Sequence, residues 1–308
     1  MLVVAKKQRK AVCSMRHNLL SFCRHIKYVG ILGLPRFFSD NRIFDFLWLF
    51  WLFGVIEIVL HLSINWQAVL QIGGIIVIKI RYGKSVPSAE NYQSNIKYSL
   101  PFTGHWTVVN GGITKEFSHS WDIPSQRYAY DFLILDEYGR SFAGDAGDVK
   151  SYYCYGKDVL SPADGVVVEI YNNAKDSDII GDGKVVCNSK DIRGNYILIC
   201  HADNEYSILA HLQANSILVA CGERVVRGQV IAKCGNTGNS SEPHLHFQIQ
   251  NNRSFYFSAG LPIQFSDISV YKTPNYEKFD DRPTQVLNDI ICSFISRGYN
   301  VFNNISKY

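Results

Sequence analysis

None of the eight cysteines stands in a CxxC pair, so neither a zinc finger nor a thioredoxin-like redox site has support. Several of the eight (Cys13, Cys23, Cys154, Cys187, Cys200, Cys221, Cys234 and Cys292) sit in apolar runs such as Tyr196-Ile-Leu-Ile-Cys200. A free thiol there behaves as a small buried hydrophobe, although an oxidising compartment would leave disulfides open. No aromatic-plus-basic RNA motif occurs. A net charge of +4 over 308 residues is too mild to argue for a nucleic-acid partner. There is no internal repeat and no low-complexity tract. No cleavable leader is evident either: the apolar block starts far from Met1, and no small-residue cleavage site follows it.

What is present is unevenly distributed. Residues 1–43 are basic, with Lys6, Lys7, Arg9, Lys10, Arg16, Arg24, Lys27, Arg36 and Arg42 set against one acid, Asp40. Phe44 to Ile64 follows, unbroken in apolar character from Phe46 to Ile56, with Trp48, Trp51 and Trp66 at or near its ends. That length suits a transmembrane helix, which needs about 20 residues. Glu57 opposes insertion by roughly 3 kcal/mol, but each Leu, Ile, Phe or Val returns about 0.3–0.6. The basic flank predicts a cytoplasmic N-terminus, a lipid-bilayer anchor and everything beyond it extracytoplasmic. A second run, Val69 to Ile80, is too short to span alone. It either lies at the membrane interface or completes a hairpin, which would reverse the orientation. The resulting division is 44–80 as hydrophobic anchor, 81–100 as polar linker, 101–268 as the main domain and 269–308 as a C-terminal extension.

From Pro101 onward short β-like runs alternate with Gly, Asn and Asp turns: Trp106–Asn110, Val166–Tyr171, Tyr196–His201, Tyr206–Leu212, Val230–Cys234 and His244–Gln250. Such spacing predicts a mainly β domain. Near the end, Val286, Leu287, Ile290, Ile291 and Phe294 recur at helical spacing, which predicts a C-terminal helix over Pro283–Ile295.

The chemistry concentrates in Pro243-His-Leu-His-Phe-Gln248. On a strand His244 and His246 project from one face and Leu245 and Phe247 from the other, and paired imidazoles suit metal binding or catalysis. A third histidine, His211, ends the alternating run Tyr206–Leu212. The loop Cys234-Gly-Asn-Thr-Gly-Asn-Ser-Ser-Glu-Pro243 leads directly into the His-x-His strand, and its glycines let backbone pass close to a substrate.

Taken together, Ser161-Pro-Ala-Asp-Gly-Val-Val167, Ala210-His-Leu212, Gly222 through Gln229, and Gly235-Asn-Thr-Gly238 followed by Pro243-His-Leu-His-Phe247 resemble the lysostaphin- and LytM-type zinc metallopeptidases. The resemblance implies a lysostaphin-type β-sheet core built on a duplicated hybrid motif. It implies one Zn2+ per chain and hydrolysis of a peptide bond, with peptidoglycan stem peptides or cross-bridges as substrate. The family's zinc ligands are a His, an Asp and the second His of His-x-His. The last two map onto Asp131, in Arg127-Tyr-Ala-Tyr-Asp131, and His246. The first ligand usually stands four residues before the Asp, where this chain has Arg127, which has no lone pair to give a metal. The nearest upstream candidate is His119, returned to the site by an insertion; His105 and His201 are the alternatives. The resemblance makes His211 and His244 the catalytic pair that does not bind zinc, without dividing their roles. Two other readings stay open: an inactive module of the same fold that regulates wall hydrolases, and a lipoyl- or biotinyl-type carrier. The carrier reading lacks a hairpin lysine and has no use for His-x-His.

Overall fold

The structure, a computed structural model, describes residues 21–39, 41–60, 62–179, 189–285 and 294–304. The chain divides into two compact units, one up to Trp66 and one from Gln67 onward. Most of the basic N-terminal residues, from Lys6 to Arg16, lie outside the described residues, as does Asp40.

In the first unit a 3-10 segment, Lys27–Phe37, precedes helices α1 (Arg42–Trp48) and α2 (Trp51–Leu60). Asn41 caps α1 by accepting from Ile43 N at 3.0 Å. The single span expected over Phe44–Ile64 is not one helix. Leu49 and Phe50 bond back only three residues, to Phe46 and Leu47, and this tight turn separates α1 from α2. At 1.5 Å per residue, helices of 7 and 10 residues reach roughly 10 and 15 Å, against a hydrocarbon core of about 30 Å. Among the described residues no helix is long and apolar enough to cross a membrane. Glu57 pairs with Lys27 at 2.6 Å and Arg24 at 3.4 Å. Phe46, Leu52, Val55, Ile58 and Val59 are exposed.

The residues of the second apolar run belong to α3 (Leu62–Tyr82), and they pack on the β domain. Gln67 accepts from Ile192 N at 2.7 Å. Gln71 donates to Ser125 Oγ at 3.4 Å and accepts from Gln126 at 3.2 Å. A Cβ at Gly74 would meet the Tyr256 carbonyl oxygen at 1.9 Å, so only glycine allows this approach.

The β domain is one large antiparallel sheet ordered β11-β12-β1-β2-β9-β6-β5-β4-β7, with β10 paired to β9 and a separate β3–β8 pair. The strands are β1 Trp106–Asn110, β2 Tyr130–Leu133, β3 Asp158–Leu160, β4 Gly165–Tyr171, β5 Asn195–Ala202, β6 Glu205–Leu212, β7 Arg224–Val225, β8 Val230–Lys233, β9 Leu245–Gln250, β10 Gly260–Leu261, β11 Ile268–Lys272 and β12 Tyr299–Asn303. Trp106, Val108, Phe132, Leu209, Leu245 and Phe247 alternate inward along the central strands and join one core. The sheet continues past residue 268, because β12 pairs with both β11 and β1. The C-terminal segment therefore supplies one edge of the sheet. The helix expected over Pro283–Ile295 falls mostly outside the described residues; Ile295 is in the core. Cys23, Cys154, Cys200, Cys221 and Cys234 are free thiols.

Candidate active site

Four adjacent strands in the middle of the sheet bring the site together by register. Asn110 on β1 lies opposite Asp131 on β2, Asp131 opposite His246 on β9, and His246 opposite Ala210 on β6. Regular alternation would send His211, the next residue after Ala210, to the other face. Instead His211 has φ +58°, a left-handed conformation that costs a non-glycine residue roughly 1–2 kcal/mol. Its ring consequently lines the same cavity as Ala210. The rings of His211 and His244 are 4.6 Å apart, and those of His211 and His246 5.8 Å apart.

Asp131 is the centre. Its Oδ1 is 2.9 Å from His246 Nδ1 and 3.8 Å from His244 Nε2, and its Oδ2 is 3.5 Å from His119 Nδ1. Asn110 Nδ2 donates to Oδ2 at 3.1 Å. Burial alone would raise the Asp131 pKa, but His119, His246 and His244 together hold the carboxyl well below its ordinary range. Burial likewise works to lower the His246 pKa, and its hydrogen bond to Asp131 overcomes this and raises it. Burial drives His211 well below the usual histidine value, and the neighbouring His244 and His246 act in the same direction. Partial burial also lowers His119, against the pull of Asp131.

Hydrogen bonds fix the tautomers. Nδ1–H of His211 donates to the Thr237 carbonyl at 2.7 Å, and Nδ1–H of His244 donates to the Glu242 carbonyl at 2.8 Å. In each neutral ring the lone pair is therefore on Nε2. His246 is the reverse. Its Nε2–H donates to Gln248 Oε1 at 3.1 Å, and Gln248 is itself oriented by donating to Ser125 O and Gln250 Oε1. This leaves His246 Nδ1 facing Asp131 across 2.9 Å. That gap can be bridged by a proton or by a cation that displaces it.

The insertion places His119. Ser118 Oγ donates to Arg127 O at 2.7 Å, closing the loop on itself, and Arg297 Nη2 donates to Phe117 O at 2.9 Å. Arg127 turns away, donating to Trp121 O at 2.9 Å with its guanidinium 5.0 Å from the Trp121 ring. The alternatives are engaged elsewhere. His105 bonds Asn300 Oδ1 at 3.0 Å. His201 Nδ1–H donates to Asp164 O at 2.8 Å, and its Nε2 accepts from Ser207 Oγ at 2.7 Å.

Among the described residues no group of three or more His, Cys, Asp or Glu side chains is arranged to hold a metal ion as it stands. The donor set nevertheless fits zinc in kind: two imidazole nitrogens and a carboxylate, the type that leaves an open position in catalytic sites. The imidazole–carboxylate edges of 2.9 and 3.5 Å bracket the roughly 3.3 Å expected between donors each about 2.0–2.1 Å from one tetrahedral ion.

The sequence reading did not single out Asn110, which touches Asp131 directly, nor Asn239, Phe279 and Arg282, which line the cavity of about 460 Å³ around these groups. Only the register of β1 against β2 would have flagged Asn110.

Residues 148–256 match the Peptidase family M23 profile. That span includes His211, His244 and His246, but not His119 or Asp131. The peptidoglycan DD-endopeptidase ShyB of Vibrio cholerae is 42% identical over 96 residues, which are 30% of this chain and 22% of that protein. ShyA of the same organism, also named a peptidoglycan DD-endopeptidase, is 41% identical over 70 residues, 22% of this chain and 16% of that one. The chain thus spans about a fifth of the length of the curated relatives it matches. Among solved structures, the catalytic domain of lysostaphin from Staphylococcus simulans aligns at 24% identity over 56% of this chain and 90% of that one, with a TM-score of 0.27. At that TM-score the structural likeness adds nothing to the sequence match. Residues 148–256 of this chain form a peptidase family M23 domain.

Proposed function

We propose that the chain is a zinc-dependent endopeptidase that hydrolyses peptide bonds in peptidoglycan. The observation that carries this is the convergence on Asp131 of His119 and His246, with His211 and His244 facing the same cavity. His119, Asp131 and His246 would hold one zinc ion. When bound, zinc supplies Lewis-acid polarisation of a peptide carbonyl and acidifies water. His211 and His244 supply the proton handling. With Nδ1–H tied to a backbone carbonyl in each, Nε2 is the atom that accepts a proton from water, donates one to the departing amine or bonds the oxyanion. The lowered pKa keeps His211 neutral at neutral pH, so it enters as a base. His244 Nε2 lies 3.8 Å from Asp131 Oδ1, which puts it beside the proposed metal site.

The named activity of ShyB and ShyA supports a wall substrate. The exposed apolar side chains of α1 and α2, behind a basic flank, support attachment of Phe44–Ile64 to a lipid surface, because exposed apolar patches are unfavourable in water; it is the wall substrate, not these short helices, that asks for the peptidase to lie outside. The test is a digest of purified peptidoglycan by the zinc-loaded full-length protein, read by mass spectrometry of the muropeptides. New fragments carrying one added water and a new peptide amino group are expected. Intact muropeptides from zinc-loaded protein would overturn the proposal in favour of the inactive regulatory module.

A further inference from the structure

We propose that Arg282 binds a free carboxylate of the peptide substrate close to the scissile bond, with Phe279 as the apolar part of the same wall. This rests on the peptidase reading above and names its substrate class: an anionic peptide. Phe279 and Arg282 reach the cavity from the segment between β11 and β12, outside the residues matched to family M23.

Two arginines line the cavity, and they differ in what they have left to offer. Arg193 is covered: Nε and Nη2 donate to Asp191 at 3.0 and 2.7 Å, the guanidinium sits 3.6 Å from the Tyr196 ring centre, and the side chain is only 11% exposed. Arg282 is tethered along one edge only. Nε donates to Asp280 Oδ1 at 2.9 Å and Nη2 to Asp280 Oδ2 at 2.6 Å. Asp280 is itself fixed by the Tyr276 hydroxyl at 3.2 Å and by the Arg282 backbone N–H at 3.0 Å. Among the described residues Nη1 has no acceptor. A guanidinium presents five N–H groups in a rigid plane, so the tether orients the plane and leaves an edge for another acceptor. The side chain is 45% exposed, which keeps that edge open to an incoming ligand. Arg282 lines the same cavity as His119 and Asp131, so a group bound there lies near the proposed reaction centre.

A fixed guanidinium edge matches a carboxylate, which can accept two parallel hydrogen bonds and brings the opposite charge. A carboxamide of the same shape offers one neutral acceptor and two unwanted donors. The expected discrimination is about 10- to 100-fold in kcat/KM, the range for a hydrogen bond to a charged group. The carboxylate could be a side-chain group or the peptide's C-terminus.

The experiment uses the zinc-loaded full-length protein and the peptide found cleaved in the muropeptide digest, synthesised in four forms: both carboxylates free, the side chain amidated, the C-terminus amidated, and both amidated. The wild type is expected to prefer the free acid over the doubly amidated form by about 10- to 100-fold, and the singly amidated forms identify which carboxylate is read. Arg282→Gln should bring the ratio close to one, and Arg282→Lys should retain part of it, both with full zinc content. Equal rates on all four forms, or a preference that survives Arg282→Gln, would overturn the carboxylate site while leaving the peptidase standing. Failure to cleave any form would overturn the peptidase reading and this inference together.

Discussion

Replacing Asn110 by alanine separates a metal-supporting role from a structural one. Asn110 Nδ2 donates to Asp131 Oδ2 at 3.1 Å, while its own Oδ1 is buried without a partner. In the metal-free protein the variant loses a hydrogen bond to a charged group, about 1.5–3 kcal/mol, but also removes an unsatisfied buried acceptor that costs about 1–3 kcal/mol. The two nearly cancel, so thermal unfolding in EDTA should shift by no more than a few degrees. Zinc affinity has no such compensation. Losing a hydrogen bond that orients a ligating carboxylate costs about 10- to 100-fold, or about 1.4–2.7 kcal/mol. Competition against a chromophoric chelator at fixed pH measures this directly. Affinity unchanged within about twofold would refute the reasoning that Asn110 supports a metal ligand, and a large fall in unfolding temperature in EDTA would refute the cancellation.

Three further outcomes are expected. His211→Ala and His244→Ala should each retain zinc and lose about 10²–10⁴-fold in turnover; near-normal turnover in both would remove them from the chemistry. Cys154 Sγ donates to the Pro243 carbonyl at 3.0 Å, immediately before His244. Cys154→Ala should therefore lower stability by roughly 1–3 kcal/mol through a buried carbonyl left unbonded, and slow turnover with it; denaturant unfolding that superimposes on the wild type would contradict this. An epitope after Tyr308 should be cut by protease in intact spheroplasts; protection until the membrane is broken would reverse the proposed orientation.

Much of the β domain was legible because period-two alternation and glycine turns are local signals. The runs at Trp106–Asn110, Tyr206–Leu212 and His244–Gln250 match β1, β6 and β9 to within a residue. Strands β3, β7 and β10 have three residues or fewer, too short for a pattern. Strands β11 and β12 pair across a long stretch of intervening chain, which no local window registers. The two-histidine face of β9 was readable from alternation. The turn of His211 into the same cavity was not, because it depends on a left-handed backbone residue at the end of β6. Asn110 escaped notice because its role comes from cross-strand register, and Arg282 because an Asp–Arg tether on a loop carries no periodic signal. The apolar run Phe44–Ile64 has the composition of a span, and composition alone does not reveal the turn at Leu49–Phe50.

The central claim is that His119, reaching Asp131 through the insertion, completes a zinc site with His246. Elemental analysis of the purified full-length protein beside His119→Ala, His105→Ala and His201→Ala tests it most directly. One zinc per chain is expected in the wild type and in the His105 and His201 variants, with most of it lost from His119→Ala. A zinc-free wild type, or full occupancy in His119→Ala, would contradict the account.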